Sequence, residues 1–442
     1  MSGSSHTDAV SKLQRLVRIP TVSYRDPGAI DRRAFDDFHA ELAASFPLLH
    51  QHLERIEIHD HAVLYRWPGA AATHPVVLMA HIDVVPVEGE WQYPPFSAEI
   101  ADGAIWGRGT LDDKGSLVAI CEAVERMLAD GVTPAQDVWL SFGADEEVSG
   151  DSAPLAVAAL RERGVSPWFV LDEGGAIAHQ AFPGVSAPIG VVGVSEKGVT
   201  SLELHAEGRG GHASTPARNG PTARIARAIT RLDAAPMAPH LPEPTVELFR
   251  RIGAGVPAPL RPLISQATRM GPLFARALIA AGPEAAALVR TTFAVTTLSG
   301  SPALNVIAAR AKAGVNIRVM VGDTVDEAIA HIRKVIADDE IRIDVLERNE
   351  PSPISPRDDA FALIESTISR LFPDAVPAPY VMMAATDSRF FTEICDRVYR
   401  FAPFRMTKEQ RESIHSYDEH LGVDAFLDGI DWYRRLLEGL PA

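Results

Sequence analysis

Two histidines and several paired acids stand out from an otherwise ordinary sequence. His81-Ile82-Asp83 sets an imidazole beside a carboxylate. A neutral imidazole is a good metal ligand, and a nearby carboxylate can accept its other ring N–H and so fix tautomer and direction. Gly107-Arg108-Gly109-Thr110-Leu111-Asp112-Asp113-Lys114-Gly115 places two acids after glycines that permit a tight approach. Asp145-Glu146-Glu147 and Asp172-Glu173-Gly174-Gly175 add further carboxylates, and His415-Ser416-Tyr417-Asp418-Glu419 supplies a late second imidazole. Singly, each has a plain structural explanation: adjacent acids are usually solvated, and Arg108 and Lys114 could simply pair with Asp112 or Asp113. Together they offer hard oxygen and imidazole donors. Cys121 and Cys395 are the sole cysteines, so neither a disulfide framework nor a thiol-rich metal site is available.

These residues follow elements that could hold them. Val76-Val77-Leu78-Met79-Ala80 runs into His81, Val138-Trp139-Leu140-Ser141-Phe142 into the 145–147 acids, and Trp168-Phe169-Val170-Leu171 into Asp172. Uninterrupted apolar runs of this length read as buried strands. Between the first two, Leu117, Ile120, Cys121, Val124 and Leu128 recur at helical spacing, so Cys121 is expected to be a core thiol. Buried strands alternating with helices imply α/β, and ligands in such sheets bind beyond the carboxyl ends of strands. The pattern changes near Val194. Residues 199–207 and 312–321 alternate apolar and polar, as antiparallel strands with one buried face do. The expected organisation is a catalytic domain of residues 1–195 and 348–442, with an α+β domain of 196–347 inserted into it. The apolar segment 255–292 either lines an acyl-chain pocket or packs on the insert.

The chain's 442 residues exceed what one core usually serves, which agrees with two domains. A formal charge of −16 argues against a nucleic-acid partner. No stretch approaches the ~18 consecutive apolar residues of a membrane span. The N-terminus lacks a charged segment followed by an apolar one, so the default location is cytoplasmic. Rival chemistries find little footing. No G-x-S-x-G elbow is present, and Gly-Arg-Gly-Thr-Leu-Asp lacks the third glycine of a dinucleotide fingerprint.

Taken in order and spacing, these motifs resemble the M20 family of metallopeptidases and aminoacylases, over nearly the whole chain from about residue 10. Leu171-Asp-Glu-Gly-Gly and Ala385-Thr-Asp-Ser-Arg-Phe-Phe look most similar to the carboxypeptidase S-like branch of Gly-Xaa carboxypeptidases and N-acyl-amino-acid hydrolases. The resemblance implies a zinc-peptidase-type catalytic domain with a mixed, largely parallel sheet, and an inserted lid and dimerisation domain. It implies two Zn2+ ions, with Co2+ or Mn2+ as possible substitutes, bridged by Asp112. His81 and Asp172 would complete one shell, and Glu147 and His415 the other. Relatives differ over which of Asp172 and Glu173 points inward, and Asp172 is the expected ligand. Asp83 would orient His81, and the Asp112–Asp113 peptide would be cis.

The implied reaction is hydrolysis of an amide bond in N-acyl amino acids or at the C-terminal residue of short peptides. Two cations ~3.5–4 Å apart can lower a water's pKa towards ~7, giving hydroxide near neutral pH. Glu146 would take the water's proton and pass it to the leaving nitrogen. His212, in Gly210-Gly211-His212-Ala213, would steady the oxyanion, either from its own chain or across a homodimer interface. Arg318 and Asn305 match positions that bind the substrate carboxylate, and Arg389 is a further candidate there or at the acyl group. Lys197-Gly198 matches a hinge. The alternatives are a dipeptidase, a biosynthetic N-acetyl or N-succinyl deacylase, and a metal-binding protein of the same fold without catalysis. Glu146, which binding alone would not require, favours an enzyme.

Overall fold

The computed structural model describes residues 2–182, 185–253 and 271–442. Its larger sheet follows the apolar runs. Strands order as Glu54–His59, Ala62–Trp67, Gln136–Gly143, Ala71–His81, Phe169–Asp172, Val398–Arg400, Ile189–Glu196, Ala176–Ala178 and Arg405–Met406, with Val376–Met382 also pairing with Ile189–Glu196. The middle is parallel: Ala71–His81 pairs in parallel with both Gln136–Gly143 and Phe169–Asp172, and Val398–Arg400 continues from the latter. The Glu54–His59 and Ala62–Trp67 hairpin adds an antiparallel edge. The sheet is therefore mixed α/β.

Helices cover both faces, which is why its strands could be apolar throughout. Helix Lys114–Ala129 is buried along nearly its whole length, with Leu117, Ile120, Cys121 and Val124 inaccessible, and packs beside helix Val423–Glu438. Helix Ser152–Glu162 covers the opposite face, where Ala156 and Leu160 meet Val77, Trp139 and Val170. The His81↔Gly143 register brings the ends of two central strands level. The loops carrying acids and imidazoles thus leave the sheet at one edge.

A second, antiparallel sheet orders as Thr292–Ser299, Arg310–Val319, Gly198–Glu207 and Arg342–Arg348. Its alternating pattern buries Leu202, Leu204, Val315 and Ile317 under helices Pro221–Ala234 and Val325–Ile336. Thr324 and Glu327 form a capping box that starts the second helix. On the other face Val199, Ser201, Asn316 and Arg318 stay half-buried. Two chain crossings join the sheets side by side. Glu196 N–H donates to Ser352 Oγ (2.9 Å), and Ser352 N–H to Glu196 O (3.1 Å). A Cβ at Gly198 would fall 2.4 Å from Asn349 O, so a side chain there would force the crossings apart.

Helices Glu243–Ile252 and Gly271–Ala281 depart from the expected place. Helix Glu243–Ile252 packs on strand Val376–Met382 of the larger sheet, and Phe274 of the second helix packs edge-on against Phe249, in one cluster with Leu248, Leu278, Ile189 and Ala378. Arg251 pairs with Glu365, and Arg357 reaches Glu243 at 2.6 Å. Their apolar faces are consumed by this packing, although residues 254–270 of the candidate acyl-pocket segment lie outside the described residues. Among the described residues, no helix is long and apolar enough to cross a membrane.

Candidate metal centre and its surroundings

Strand Ala71–His81 ends on His81, which is only 2% exposed. Its Nδ1 lies 3.0 Å from Asp83 O and 3.4 Å from Asp83 Oδ1. That leaves Nε2 facing outward, 3.0 Å from Asp112 Oδ1. Asp83 also holds the next strand's loop. Its Oδ1 accepts from Glu146 N (3.2 Å), and its Oδ2 from Glu147 N (3.1 Å) and Ser23 Oγ (2.7 Å). One buried carboxylate therefore fixes an imidazole and the two glutamates' backbone together.

Asp112 stands just before helix Lys114–Ala129, and its peptide with Asp113 is cis. While Oδ1 faces His81, Oδ2 lies 2.9 Å from His415 Nε2. His415 Nε2 is also 2.9 Å from Glu147 Oε2. Asp112 thus stands between two imidazoles from opposite ends of the chain. Of the neighbouring acids 172 and 173, it is Glu173 that approaches, with Oε1 3.5 Å from His81 Nε2. His81, Glu146 and Glu173 offer ligand atoms within 4.8 Å of one another, as do His81, Asp112 and Glu147. Asp172 departs from its expected place in the ligand set. Its Oδ2 accepts the Ser388 N–H at 3.0 Å, which leaves it as a brace for the 386–389 loop.

The electrostatics describe a pocket short of positive charge. Burial pushes the carboxyls of Glu146 and Glu173 well above the usual range, with neighbouring acids adding to it. Burial would lower His81, but Asp112, Asp83 and Glu173 overcome it and hold the imidazole well above its ordinary value. Hydrogen bonds to Asp112 and Glu147 raise His415 to about 10. Glu147 Oε1 is buried with no hydrogen-bond partner among the described residues. Converging carboxylates, two imidazoles and an orphaned buried oxygen fit divalent cations, with Zn2+, Co2+ and Mn2+ all matching the donor types.

The remaining expected residues lie apart from this cluster. His212 is exposed, and its Nδ1 meets Ser214 Oγ at 2.8 Å. It sits on a short ribbon with Val306, where Ala213 N–H donates to Asn305 O (3.0 Å), so His212 and Asn305 are neighbours. Arg318 lies on the open face of the antiparallel sheet, between Val199 and Thr292. Burial lowers its pKa, with Glu347 the countercharge opposing that shift. Arg389 Nη1 donates to Thr386 O (2.8 Å), its guanidinium lies 4.4 Å from the Phe390 ring centroid, and its Nε is buried without a partner among the described residues. Ser23, Ser388 and Glu419 join the surroundings of the centre without having been expected there, and Asp387 lies beside Ser388. Asp387, Ser388 and Glu419 stand within the motifs quoted above, whereas Ser23 carries no signal.

Imidazoles and carboxylates converging at the strand ends of a mixed α/β sheet define a hydrolytic class of fold and site. The chain matches the model of peptidase family M20/M25/M40 over residues 77–439. It is 35% identical to a probable carboxypeptidase S-like 2 of Dictyostelium discoideum, across 98% of this chain and 85% of that protein. It is 33% identical to the human N-fatty-acyl-amino acid synthase/hydrolase PM20D1, across 96% and 86%. An M20 family metallo-carboxypeptidase from Sulfolobus solfataricus superposes with a TM-score of 0.73 at 17% identity, covering 97% of this chain and 98% of that one. The chain belongs to peptidase family M20/M25/M40 and is a hydrolase.

Proposed function

We propose that this hydrolase cleaves the amide bond of N-acyl amino acids, or of the C-terminal residue of short peptides, using two divalent cations, Zn2+ by preference. The observation that carries the reading is Asp112, whose two oxygens face two different imidazoles at 3.0 and 2.9 Å. His81 and Glu173 would hold one ion with Asp112, and Glu147 and His415 the other. Bound there, the cations would polarise the scissile carbonyl and acidify a water. Glu146, beside His81 and Glu173 but not required as a ligand, takes that water's proton and delivers it to the leaving nitrogen. Asp83 keeps His81 and both glutamates in register throughout.

Residues 196–347 would carry the substrate-facing lid, with Lys197-Gly198 at its hinge, although helices 243–252 and 271–281 pack on the other body. Arg318 has a half-buried guanidinium suited to a free carboxylate, with Asn305 and Arg389 as further polar contacts. His212 would supply an oxyanion donor across a homodimer. The edge strand Thr292–Ser299, exposed along most of its length, and the exposed Leu298 and Leu304 support an interface between two copies there. The carboxypeptidase S-like and N-fatty-acyl-amino acid hydrolase relatives support the substrate class. Two buried free thiols fit a reducing compartment such as the cytoplasm.

The test is hydrolysis of a panel of N-acyl amino acids and dipeptides by purified protein, before and after chelation, with zinc restored. Activity on N-acyl amino acids that is lost with chelator and regained with zinc is expected. Turnover of dipeptides alone would replace the acyl reading with a dipeptidase.

A further inference from the structure

Glu419 is fully buried, four residues beyond His415, and has no part in the chemistry above. Its Oε1 accepts the N–H groups of Gly109 (3.1 Å), Leu111 (2.8 Å) and Asp112 (3.2 Å). Its Oε2 accepts Arg108 Nη1 at 2.6 Å, while Arg108 Nη2 donates to Ser416 O, also at 2.6 Å. Every one of these partners donates, so the carboxyl is required as an ionised acceptor. Arg108 is itself buried and stacks 5.1 Å from the Trp91 ring centroid. The partners belong to two loops: one ends on Asp112, and the other begins at His415.

We propose that Glu419 is a positioning residue that ties the Asp112 loop and the His415 loop into one unit, setting the distance between groups that hold the two cations. The inference rests on the metal-centre reading above. The loops need such a tie. His415 and Asp418 both carry positive φ, 58° and 60°, a conformation uncommon in non-glycine residues, so the loop's path is a specific one that its contacts must hold. Outside the loops the chain is held independently, because His420 pairs with Trp106 and Leu421 with Ile105 in a separate small sheet. Loss of Glu419 should therefore free the ligands without dissolving the fold around them. Residues that orient metal ligands in this way typically change metal affinity about 10–100-fold when replaced.

The experiment titrates metal-free wild type and Glu419→Gln with Co2+, reading bound metal by elemental analysis after dialysis and the visible Co2+ absorption. The amide oxygen introduced by this substitution can still accept the backbone N–H groups, but the amide nitrogen would oppose Arg108 with donor against donor. The expected result is a folded variant that binds Co2+ about 10–100-fold more weakly, with an altered absorption spectrum and a fall in kcat rather than a rise in KM. A folded Glu419→Gln with wild-type affinity and spectrum overturns the proposal. Should circular dichroism show that variant unfolded, Arg108→Lys decides, since it keeps the charge but loses the fork to Ser416. Weaker Co2+ binding supports the proposal, and wild-type binding and spectrum overturn it. Wild type that binds no Co2+ would instead overturn the metal-centre reading.

Discussion

His81, proposed to hold a cation, and His212, proposed to meet the amide carbonyl, are both imidazoles, yet their surroundings are opposite. His81 is almost sealed, held on one nitrogen by Asp83 and facing Asp112 and Glu173 with the other. His212 is exposed on a two-residue strand, and its ring meets Ser214. The same contrast separates Asp83, whose carboxylate accepts two backbone N–H groups, from Arg318 on an open sheet face. Groups that hold cations must be fixed before the ion arrives, since several like charges in a buried pocket repel unless geometry is imposed. Groups that meet substrate lie where another body can reach them. On the proposed reading the cations are held within one chain, whereas His212 would need substrate or a second chain to reach the carbonyl.

The largest expected effect lies in the sealed region. Glu146→Gln keeps shape and backbone bonds but cannot accept a proton. It should retain wild-type metal content and lose about 10²–10⁴-fold in kcat. Near-normal turnover would remove Glu146 from the role of base and leave the contrast without its chemical centre.

The exposed region can be tested by complementation. His212→Ala alone should cost about 10²–10³-fold, as removal of an oxyanion donor does. If His212 acts across the interface, mixing it with Glu146→Gln under subunit exchange forms hybrids with one intact site. About a quarter of wild-type activity should then return, from half the dimers carrying one of two sites. Two inactive variants that stay inactive after exchange confirmed by mass would place His212 in its own chain.

The sealed and exposed regions also differed in how legible they were. The central strands could be read because burial on both faces makes them apolar without interruption, as in Val76–Ala80 and Val138–Phe142. His81 ends one such run, and the acids 145–147 follow another, which is what marks them as candidates. The orientation of Asp172 against Glu173 could not be read, because the contact that holds Asp172 away comes from Ser388, far along the chain. Helices 243–252 and 271–281 have clear apolar faces, but an apolar face does not name its partner: the first packs on the strand Val376–Met382 and the second on the first, in a cluster apart from the antiparallel sheet. Glu419 was hidden for a similar reason: its bonds are to backbone N–H groups some three hundred residues earlier, which no residue pattern encodes.

The smallest effect concerns the sealed cluster without its cations. In the metal-free protein His415 is raised from 6.5 to about 10 by Asp112 and Glu147, and His81 is raised as well. A folded-state pKa above the unfolded value contributes stability that is complete below the unfolded pKa and is lost as pH climbs through the folded one. The raised carboxyls of Glu146 and Glu173 act in the same direction, because ionising them without a cation is unfavourable in the fold. Asp112, held well below its usual range, loses its contribution only in acid, outside this window. Relative to zinc-loaded protein, metal-free protein should therefore melt at progressively lower temperature as pH rises from about 6.5 to about 10. Taking the difference between the two forms cancels groups away from the cluster, such as Lys114, which burial lowers to about 7 and which acts in the opposite direction in both. Calorimetry of both forms checks this, and a gap that stays constant or narrows with pH would mean that the imidazoles are not held as protonated partners of these acids.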